Sequence, residues 1–283
     1  MLYNILMANF IPSIIYEDAF ILVINKPSGL VVNRAETVRE KLTVMDWLES
    51  SVGVAPPTVQ IPQKGISEFE MRRGVVHRLD KDTSGVMVIA KTEKAFLNLQ
   101  KQFKERAVRK EYIALVHDNG GQTLSAIRRK LADEVGPQKS QKFIVDAPIG
   151  RNPKNRMKWA VVEGGRNAVT EFNILAVNEF GNSHERLGDK SHAFLSEFSL
   201  PAKEVNGYVL LRCIPKTGRT HQIRVHLAAI NCPVVCDRVY LNKRRYKEDL
   251  KWCPRLLLHA EKIGFKHPEK GEWVEYEAKL GRT

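Results

Sequence analysis

The chain has 283 residues and a formal net charge of +13, from 45 Lys and Arg against 32 Asp and Glu. That length accommodates one large domain or two small ones with enough apolar residues for a core, and no run of about 18 apolar residues exists that would span a membrane. The positive balance points to a polyanionic partner, nucleic acid first and an anionic membrane surface second, with simple solubility as the plain alternative.

The N-terminal stretch MLYNILMANFIPSIIYED is apolar at first, has no Lys or Arg before Lys26, and closes on Glu17 and Asp18. A secretory signal needs a positive start and a small-residue cleavage site, and neither is present, so a cytoplasmic protein is expected. Met7 is an alternative start. The first predicted element is a strand over residues 20–25 (FILVIN), stopped by a turn at Lys26-Pro27-Ser28-Gly29. Residues 51–73 are rich in Pro, Gly and Gln and read as a loop. The polar segment HRLDKDTSG follows, and then strand-like Val86-Met87-Val88-Ile89. From Glu93 to Arg106 the apolar residues Phe96, Leu99 and Phe103 recur at helical spacing.

Residues 111–116 (EYIALV) return to strand character. Residues 118–143 read as an insertion, helical in part around Leu124 to Val135. Over 168–177 a strand alternates, with Thr170, Phe172 and Ile174 on one face and Val169, Glu171, Asn173 and Leu175 on the other. Residues 181–206, polar and Gly-containing, read as a second insertion, and 208–214 (YVLLRCI) as a buried strand. Thr220 is placed to cap a helix over 221–231 whose inner face is Ile223, Leu227 and Ile230. The last segment, 256–280, carries two short strand-like runs around HPEKG.

Strands joined by short turns, with a few helices interspersed, predict an α+β fold with a central mixed, mostly antiparallel sheet. No linker separates independent globules, so one unit over 15–283 is expected behind an extension of 1–14, with insertions near 51–73, 118–143 and 181–206. Neither Gly-x-Gly-x-x-Gly nor the P-loop pattern occurs, so no nucleotide cofactor is expected. The four cysteines, Cys213, Cys232, Cys236 and Cys253, read as free thiols that behave as small buried hydrophobes. Cys232 and Cys236 have a loosely zinc-like spacing, but a structural site uses two tight ligand pairs and Cys213 and Cys253 stand alone, so no metal is expected.

Two polar clusters stand out. Val75-Val76-His77-Arg78-Leu79-Asp80-Lys81-Asp82-Thr83-Ser84-Gly85 is dense in charge yet flanked by apolar strands. In an extended segment Arg78 and Asp80 share one side and Leu79 faces the core. Such a loop on a rigid scaffold suits function; the alternative is an Asx-turn at Asp82-Thr83-Ser84-Gly85 with solvated charges around it. Lys216-Thr217-Gly218-Arg219-Thr220-His221-Gln222-Ile223-Arg224 is a turn into a helix N-terminus, an anion-binding geometry to which Arg219 and Arg224 add fixed charge. Its alternative is a capped helix with a basic outer face.

Together, HRLDKDTSG with Asp80 and GRTHQIRVH with Arg224 resemble the RluA-like family of pseudouridine synthases. The resemblance covers most of the chain. Residues 15–32 are similar to the family's first strand and Lys-Pro-x-Gly turn, Lys110-Glu111-Tyr112 to its Lys-x-Tyr motif, and residues 146–161 to its Asp-Ala-Pro-Ile-Gly segment. Leu256-Leu257-Leu258-His259-Ala260 with His267-Pro268 is similar to its C-terminal signature. Departures are Cys236 where the family usually has Gly, Glu277-Ala278-Lys279-Leu280 in place of Ala-Pro-x-Pro, insertions longer than typical, and no room before residue 15 for the small RNA-binding domain of many relatives. They bear on substrate choice, not on the chemistry.

The resemblance implies isomerisation of uridine in RNA, ribosomal or transfer, without cofactor or redox step. It assigns the catalytic carboxylate to Asp80, its cationic partner to Arg224, and stacking on the uracil with a part in proton transfer to Tyr112. Arg78 fills the gap left by the extruded base and Leu258 packs against the base's other side. His77, Leu79, Thr83, Lys110, Arg219 and His221 complete the implied substrate-binding set. Lys110, Arg151, Lys154, Arg156, Lys158, Lys243, Arg244 and Arg245 are candidate phosphate contacts, each individually a plain surface charge otherwise. A monomer that needs no protein partner and no membrane is expected. Two other readings stay open: a non-catalytic RNA-binding protein, and a glycosidase-type hydrolase acting through Asp80, which would call for a second carboxylate such as Asp82.

Overall fold

A computed structural model of the chain describes residues 11–33, 42–51, 67–118, 142–178 and 207–280. In chain order, β1 (Ser13–Glu17) and β2 (Ile21–Lys26) precede α1 (Val44–Ser51) and α2 (Glu68–Met71). Next come β3 (Ser84–Ala90), α3 (Glu93–Lys104) and β4 (Arg109–His117). β5 (Lys142–Asp146), β6 (Ile149–Arg151), β7 (Trp159–Val161), β8 (Val169–Asn178) and β9 (Tyr208–Pro215) follow. The last elements are α4 (Gln222–Ala229), α5 (Lys243–Asp249), β10 (Leu258–Lys266) and β11 (Trp273–Glu277). The expected helix in 118–143 and most of both long insertions lie outside the described residues.

The described residues form two compact units, one of those up to Lys110 together with those from Ala260 onward, the other of those from Glu111 to His259. Strands β4 and β10 each run from one unit into the other. In the first unit the strand order is β1-β2-β3-β10, with β11 pairing β10. β2 is antiparallel to both neighbours, with Val23 opposite Val88. β3 is buried from end to end and β2 over Ile21 to Ile24, as strands covered on both faces are; Phe20 and Asn25 at the ends of the predicted run are half-buried. Helix α3 starts where Thr92 accepts the Ala95 N–H at 3.2 Å, and it buries Phe96 and Leu99. Part of the expected 51–73 loop is a capped helical turn. Ser67 and Glu70 exchange side-chain bonds with each other's backbone, a capping box whose Ser-x-x-Glu signal the Pro- and Gly-rich surroundings masked.

In the second unit the strand order is β4-β9-β8-β5, antiparallel throughout, with a bulge between Ile174 and Ala176. Leu115 donates to the Leu257 carbonyl at 3.1 Å and so holds the start of β10 beside β4. The alternation expected in β8 is observed: Thr170, Phe172 and Ile174 are buried, and Val169, Glu171, Asn173 and Leu175 are not. Phe172, Val116, Leu211, Ile223, Leu227 and Leu258 share one apolar core, on which the inner face of α4 rests. β6 and β7 form a separate hairpin packed against Val225 of α4. All four cysteines are buried thiols. No helix among the described residues is long and apolar enough to cross a membrane.

Candidate active site

In the first unit the chain enters the polar cluster in extended form. Val75, Val76 and Leu79 are buried, Arg78 is exposed, and His77 and Asp80 are half-buried. The split between Leu79 and its two charged neighbours is the one that alternation predicts. The Thr83 N–H then donates to the Asp80 carbonyl at 3.1 Å, so Asp80 opens a tight turn. The turn lies two residues earlier than the alternative Asx-turn at 82–85, because Gly85 already belongs to β3. Gly85 has φ +120°, and a Cβ there would lie 2.2 Å from the Ala260 carbonyl oxygen; this glycine permits close approach to β10 rather than a turn.

That turn is stitched to another. Lys26 is fully buried, and its ammonium donates to the carbonyls of Pro27, Leu30 and Lys81 at 2.9, 2.8 and 3.0 Å. Gly29 N–H reaches the same Lys81 carbonyl at 2.9 Å, and Ser28 Oγ donates to the Asp82 carbonyl at 2.7 Å. A buried charge persists only when hydrogen-bonded, so the Lys-Pro-Ser-Gly turn and the Asp80 turn form one rigid block. In sequence Lys26 marks only the start of a turn; a lysine closing an otherwise apolar strand is the one signal of this burial.

His77 braces the block from the other side. Its Nε2 accepts the Val88 N–H at 3.1 Å and its ring stacks on Phe103 at 4.7 Å. Enclosure of the ring, aided by the charge of Lys110, pushes the imidazole down to about 3. Burial also lowers the Lys110 ammonium. Thr83 is buried, and its Oγ1 has no hydrogen-bond partner among the described residues.

In the second unit the cluster before α4 folds around Gln222. The expected cap, Thr220, is exposed; the N-cap is His221, in the left-handed region at φ 56° and without a side-chain cap bond. Gln222 Oε1 instead accepts from the Arg219 N–H and the Thr217 hydroxyl at 2.9 and 2.7 Å. Its amide donates to the Val169 carbonyl and to Thr170 Oγ1, both at 3.0 Å. Thr170 Oγ1 in turn meets His226 Nδ1 at 2.9 Å, while His226 Nε2 meets the Ala147 carbonyl at 3.1 Å. A carbonyl only accepts, so Nε2 carries the proton and Thr170 donates to Nδ1. Burial lowers the His226 pKa in keeping with that tautomer. The helix stops at Ala229, two residues short of the expected end, with Asn231 at φ 60°.

Arg224 projects from α4 into a buried two-point ion pair with Asp237, Nε to Oδ2 at 2.7 Å and Nη2 to Oδ1 at 2.8 Å. Asp237 Oδ1 also accepts the N–H groups of Val239 and Tyr240 at 2.9 and 3.2 Å. The Tyr240 ring lies 5.3 Å from the Arg224 guanidinium carbon, and its hydroxyl is 3.0 Å from His221 Nδ1. Neither Asp237 nor Tyr240 was singled out in the sequence. Cys236 has φ 57°, a conformation that favours glycine, and its N–H is held by the buried Asp249 carboxylate at 2.9 Å.

The candidate residues therefore divide. Arg78, Asp80, His77, Leu79, Thr83 and Lys110 belong to the first unit, and Tyr112, Arg219, His221, Arg224 and Leu258 to the second. Arg224 and His221 meet around Tyr240. Tyr112, opposite Cys213 in β4, packs on the same core as buried Leu258. Arg219 donates to the Asn167 carbonyl at 3.0 Å. Lys154, Arg156, Lys243 and Arg244 are exposed. Among the described residues no three His, Cys, Asp or Glu side chains are grouped to hold a metal ion.

Residues 20–229 match the family model described as RNA pseudouridylate synthase. The chain belongs to the RNA pseudouridylate synthase family. Among relatives, it is 35% identical over 278 residues to ribosomal large subunit pseudouridine synthase D of Neisseria meningitidis, covering 94% of this chain and 58% of that protein. It is 33% identical over 267 residues to the uncharacterized RNA pseudouridine synthase YlyB of Bacillus subtilis, covering 94% of this chain and 68% of that one. The chain thus spans about three-fifths to two-thirds of the length of these synthase relatives. Its fold is that of human RNA pseudouridylate synthase domain containing 1, with TM-score 0.61, 21% identity, and coverage of 96% of this chain and 84% of that one.

Proposed function

We propose that this protein isomerises uridine to pseudouridine in RNA, with Asp80 as the catalytic carboxylate. The observation that carries the reading is the rigid block at Asp80. Lys26, Ser28 and Gly29 spend their polar groups on the carbonyls of Lys81 and Asp82, which holds the Asp80 turn fixed while Asp80 stays half-buried rather than sealed. A preorganised carboxylate suits a reaction in which charge develops on a sugar carbon.

In the reaction the bond from uracil N1 to the ribose anomeric carbon breaks, the base turns, and C5 bonds to that carbon. The C5 proton leaves and N1 gains one, so no redox partner is needed. Asp80 serves as nucleophile, as base or as stabiliser of the cationic sugar. In this proposal Arg224, oriented by Asp237, keeps the carboxylate ionised. Tyr112 stacks on the uracil and Leu258 packs on its other side. Arg78, the exposed neighbour of Asp80, occupies the space of the extruded base. Thr83, whose hydroxyl has no partner among the described residues, and Lys110, Arg219 and His221 contact the nucleotide or its phosphates. Ribosomal RNA is the favoured target, supported by the name of the Neisseria relative, with transfer RNA second; the enzyme acts as a monomer.

The test incubates purified protein with uracil-labelled ribosomal and transfer RNA. The expected product is pseudouridine, absent with Asp80→Asn, whose folding and RNA affinity are retained because affinity comes mainly from phosphate contacts. Free uracil would mark a hydrolase and unchanged RNA a binding protein. Asp80→Asn activity within about tenfold of wild type, a loss of under about 1.4 kcal/mol in barrier terms, would remove Asp80 from the chemistry.

A further inference from the structure

Asp249 is a buried carboxylate that the proposed reaction leaves unused. It is the last residue of α5 and is 1% exposed. A charge so enclosed persists only where its oxygens are hydrogen-bonded, and the partners here are specific. Oδ2 accepts the Cys236 N–H at 2.9 Å and lies 2.9 Å from His117 Nε2. An oxygen that accepts from both requires the His117 proton to sit on Nε2. His117 is the buried last residue of β4; its ring packs on Tyr208, which meets Trp252 edge-on. The Asp249 carbonyl accepts the N–H groups of Trp252 and Cys253 at 3.1 and 2.8 Å. The carboxylate is thus fixed from the sheet on one side and from its own turn on the other.

The group that Asp249 holds is a strained one. The Asp237 N–H closes a tight turn on the Val234 carbonyl at 3.2 Å, with Val235 and Cys236 between. Cys236 has φ 57° and Val235 lies outside the left-handed region, so the turn has the type II pattern, whose third residue favours Gly or Asn. A cysteine keeps that conformation only where its surroundings over-determine it. Asp249 takes its N–H, and its thiol donates to the Cys253 carbonyl at 2.7 Å. Contact with Cys253 and burial push the thiol up, so it stays protonated as a donor. The two residues before it are tied to β4, Val234 by a bridge to Val116 and Val235 by its N–H to the Leu115 carbonyl at 2.9 Å.

Next in the chain is Asp237, whose two oxygens grip Arg224. Each residue has only two soft dihedrals, and a change in either swings everything beyond it. A Cys236 that relaxed out of the left-handed region would turn the Asp237 carboxylate away from Arg224.

We propose that Asp249 is a positioning residue for the isomerisation: held by His117, it keeps Cys236 in the left-handed conformation that aims Asp237 at Arg224. The inference rests on the reading of Arg224 as the cation that keeps Asp80 ionised. Its action runs through Cys236 and Asp237 and requires no contact with RNA.

The test is a double-mutant cycle on the full-length protein. Glycine adopts φ 57° freely, so Cys236→Gly removes the need for the bond that Asp249 supplies. Asp249→Ala is expected to lower kcat on uracil-labelled ribosomal RNA about tenfold with KM within about twofold, the pattern of a misplaced group rather than a lost binding contact. In the Cys236→Gly background the same substitution should cost less than about threefold. Asp249→Asn, which keeps an acceptor for the Cys236 N–H, should retain kcat within about threefold of wild type. The second readout is the Arg224 Nε–H resonance in arginine-labelled protein, identified by its loss in Arg224→Lys. Its exchange with water should quicken about tenfold in Asp249→Ala and return to within about threefold of the wild-type rate when Cys236→Gly is added. Should Asp249→Ala not fold, Cys236→Thr takes its place. It keeps a donor for the Cys253 carbonyl, but its branched Cβ resists φ 57°, so it should lower kcat and speed that exchange by more than Cys236→Gly does.

Equal losses from Asp249→Ala in the two backgrounds overturn the proposal, as do a loss confined to KM, no loss at all, or a Cys236→Thr that behaves as Cys236→Gly does. Turnover in wild type with Arg224 exchange unmoved by Asp249→Ala defeats only this proposal. Arg224 exchange that responds as expected in a protein without turnover upholds the link from Asp249 to Arg224 and defeats only the enzymatic reading.

Discussion

Arg224 and Asp237 grip each other at two points, 2.7 and 2.8 Å apart, with both side chains buried. The carboxylate simultaneously fixes the backbone of Val239 and Tyr240, so it shapes the loop as well as neutralising the guanidinium. Removing one partner of a buried pair strands the other, which costs far more than the pair itself contributes. Asp237→Ala is therefore expected to lower the unfolding free energy by about 3 kcal/mol, with turnover lost as Arg224 is released. Urea unfolding checks the first part. A loss below about 1 kcal/mol would mean that the pair is dispensable for folding.

His77 makes a pH-dependent contribution whose sign follows from its burial. The folded imidazole is pushed down to about 3 from the usual 6.5. The unfolded chain thus binds a proton that the folded chain refuses. Stability is complete above about pH 6.5 and falls as pH drops toward 3, at up to about 1.4 kcal/mol per pH unit from this group. His77→Phe should flatten that decline by one proton between pH 6.5 and 4.5. It should also lower stability at pH 7.5 by about 1–2 kcal/mol, because the Val88 N–H loses its acceptor. Unfolding midpoints at four pH values, with matching slopes in wild type and variant, would show that the ring takes its proton in place.

Gly85→Ala is expected to be among the most damaging single-methyl changes in the protein. The added Cβ meets backbone atoms of Ala260 at 2.2 to 2.7 Å, at a φ of +120° that alanine avoids. Backbone strain and overpacking together give a loss of about 3 kcal/mol or more. A thermal melt is sufficient to read it. A melting temperature within about 3 °C of wild type would show that β10 can shift to accommodate the methyl.

Arg78 separates base extrusion from bond breaking. Its exposure beside half-buried Asp80 leaves it able to reach into RNA. If it fills the gap left by the uridine, Arg78→Ala should slow single-turnover reaction on a folded stem-loop about tenfold more than on an unstructured RNA of the same local sequence, since only the former must lose stacking and pairing. Asp80→Asn should be equally damaging on both. Identical Arg78→Ala defects on the two substrates would mean that Arg78 only tunes Asp80.

The strands were legible where the chain states its environment locally. β2 and β3 are apolar runs, and β8 alternates residue by residue, so burial could be read without knowing the partners. The tie between Lys26 and Lys81 could not be read, because its meaning depends on a carbonyl 55 positions away. The role of Gly85 is hidden for the same reason: in sequence it fits the alternative of an Asx-turn at 82–85, but the atom that excludes a side chain belongs to Ala260, far along the chain. At α4 the local rule pointed to the wrong residue. Thr220 has the right chemistry for a cap, but His221 takes the left-handed conformation and Gln222 reaches back to do the work. The motifs around Asp80 and Arg224 located both clusters; Asp237 and Tyr240, which orient Arg224, are visible only as contacts.

The place of β3 between β2 and β10 has a consequence for how the protein is made. One neighbour is synthesised before it and the other only when the ribosome has reached Lys266. At roughly 5–20 residues per second, the far edge of β3 waits on the order of ten seconds or more. All seven residues of that strand, SGVMVIA, are buried in the finished protein, so the waiting edge is apolar and unpaired, the combination most prone to recruit a foreign strand. The speed of translation between residues 91 and 266 is then expected to affect yield in the cell apart from the stability of the completed fold. Slow codons in that interval lengthen the exposure, and a chaperone that shields extended apolar segments shortens it.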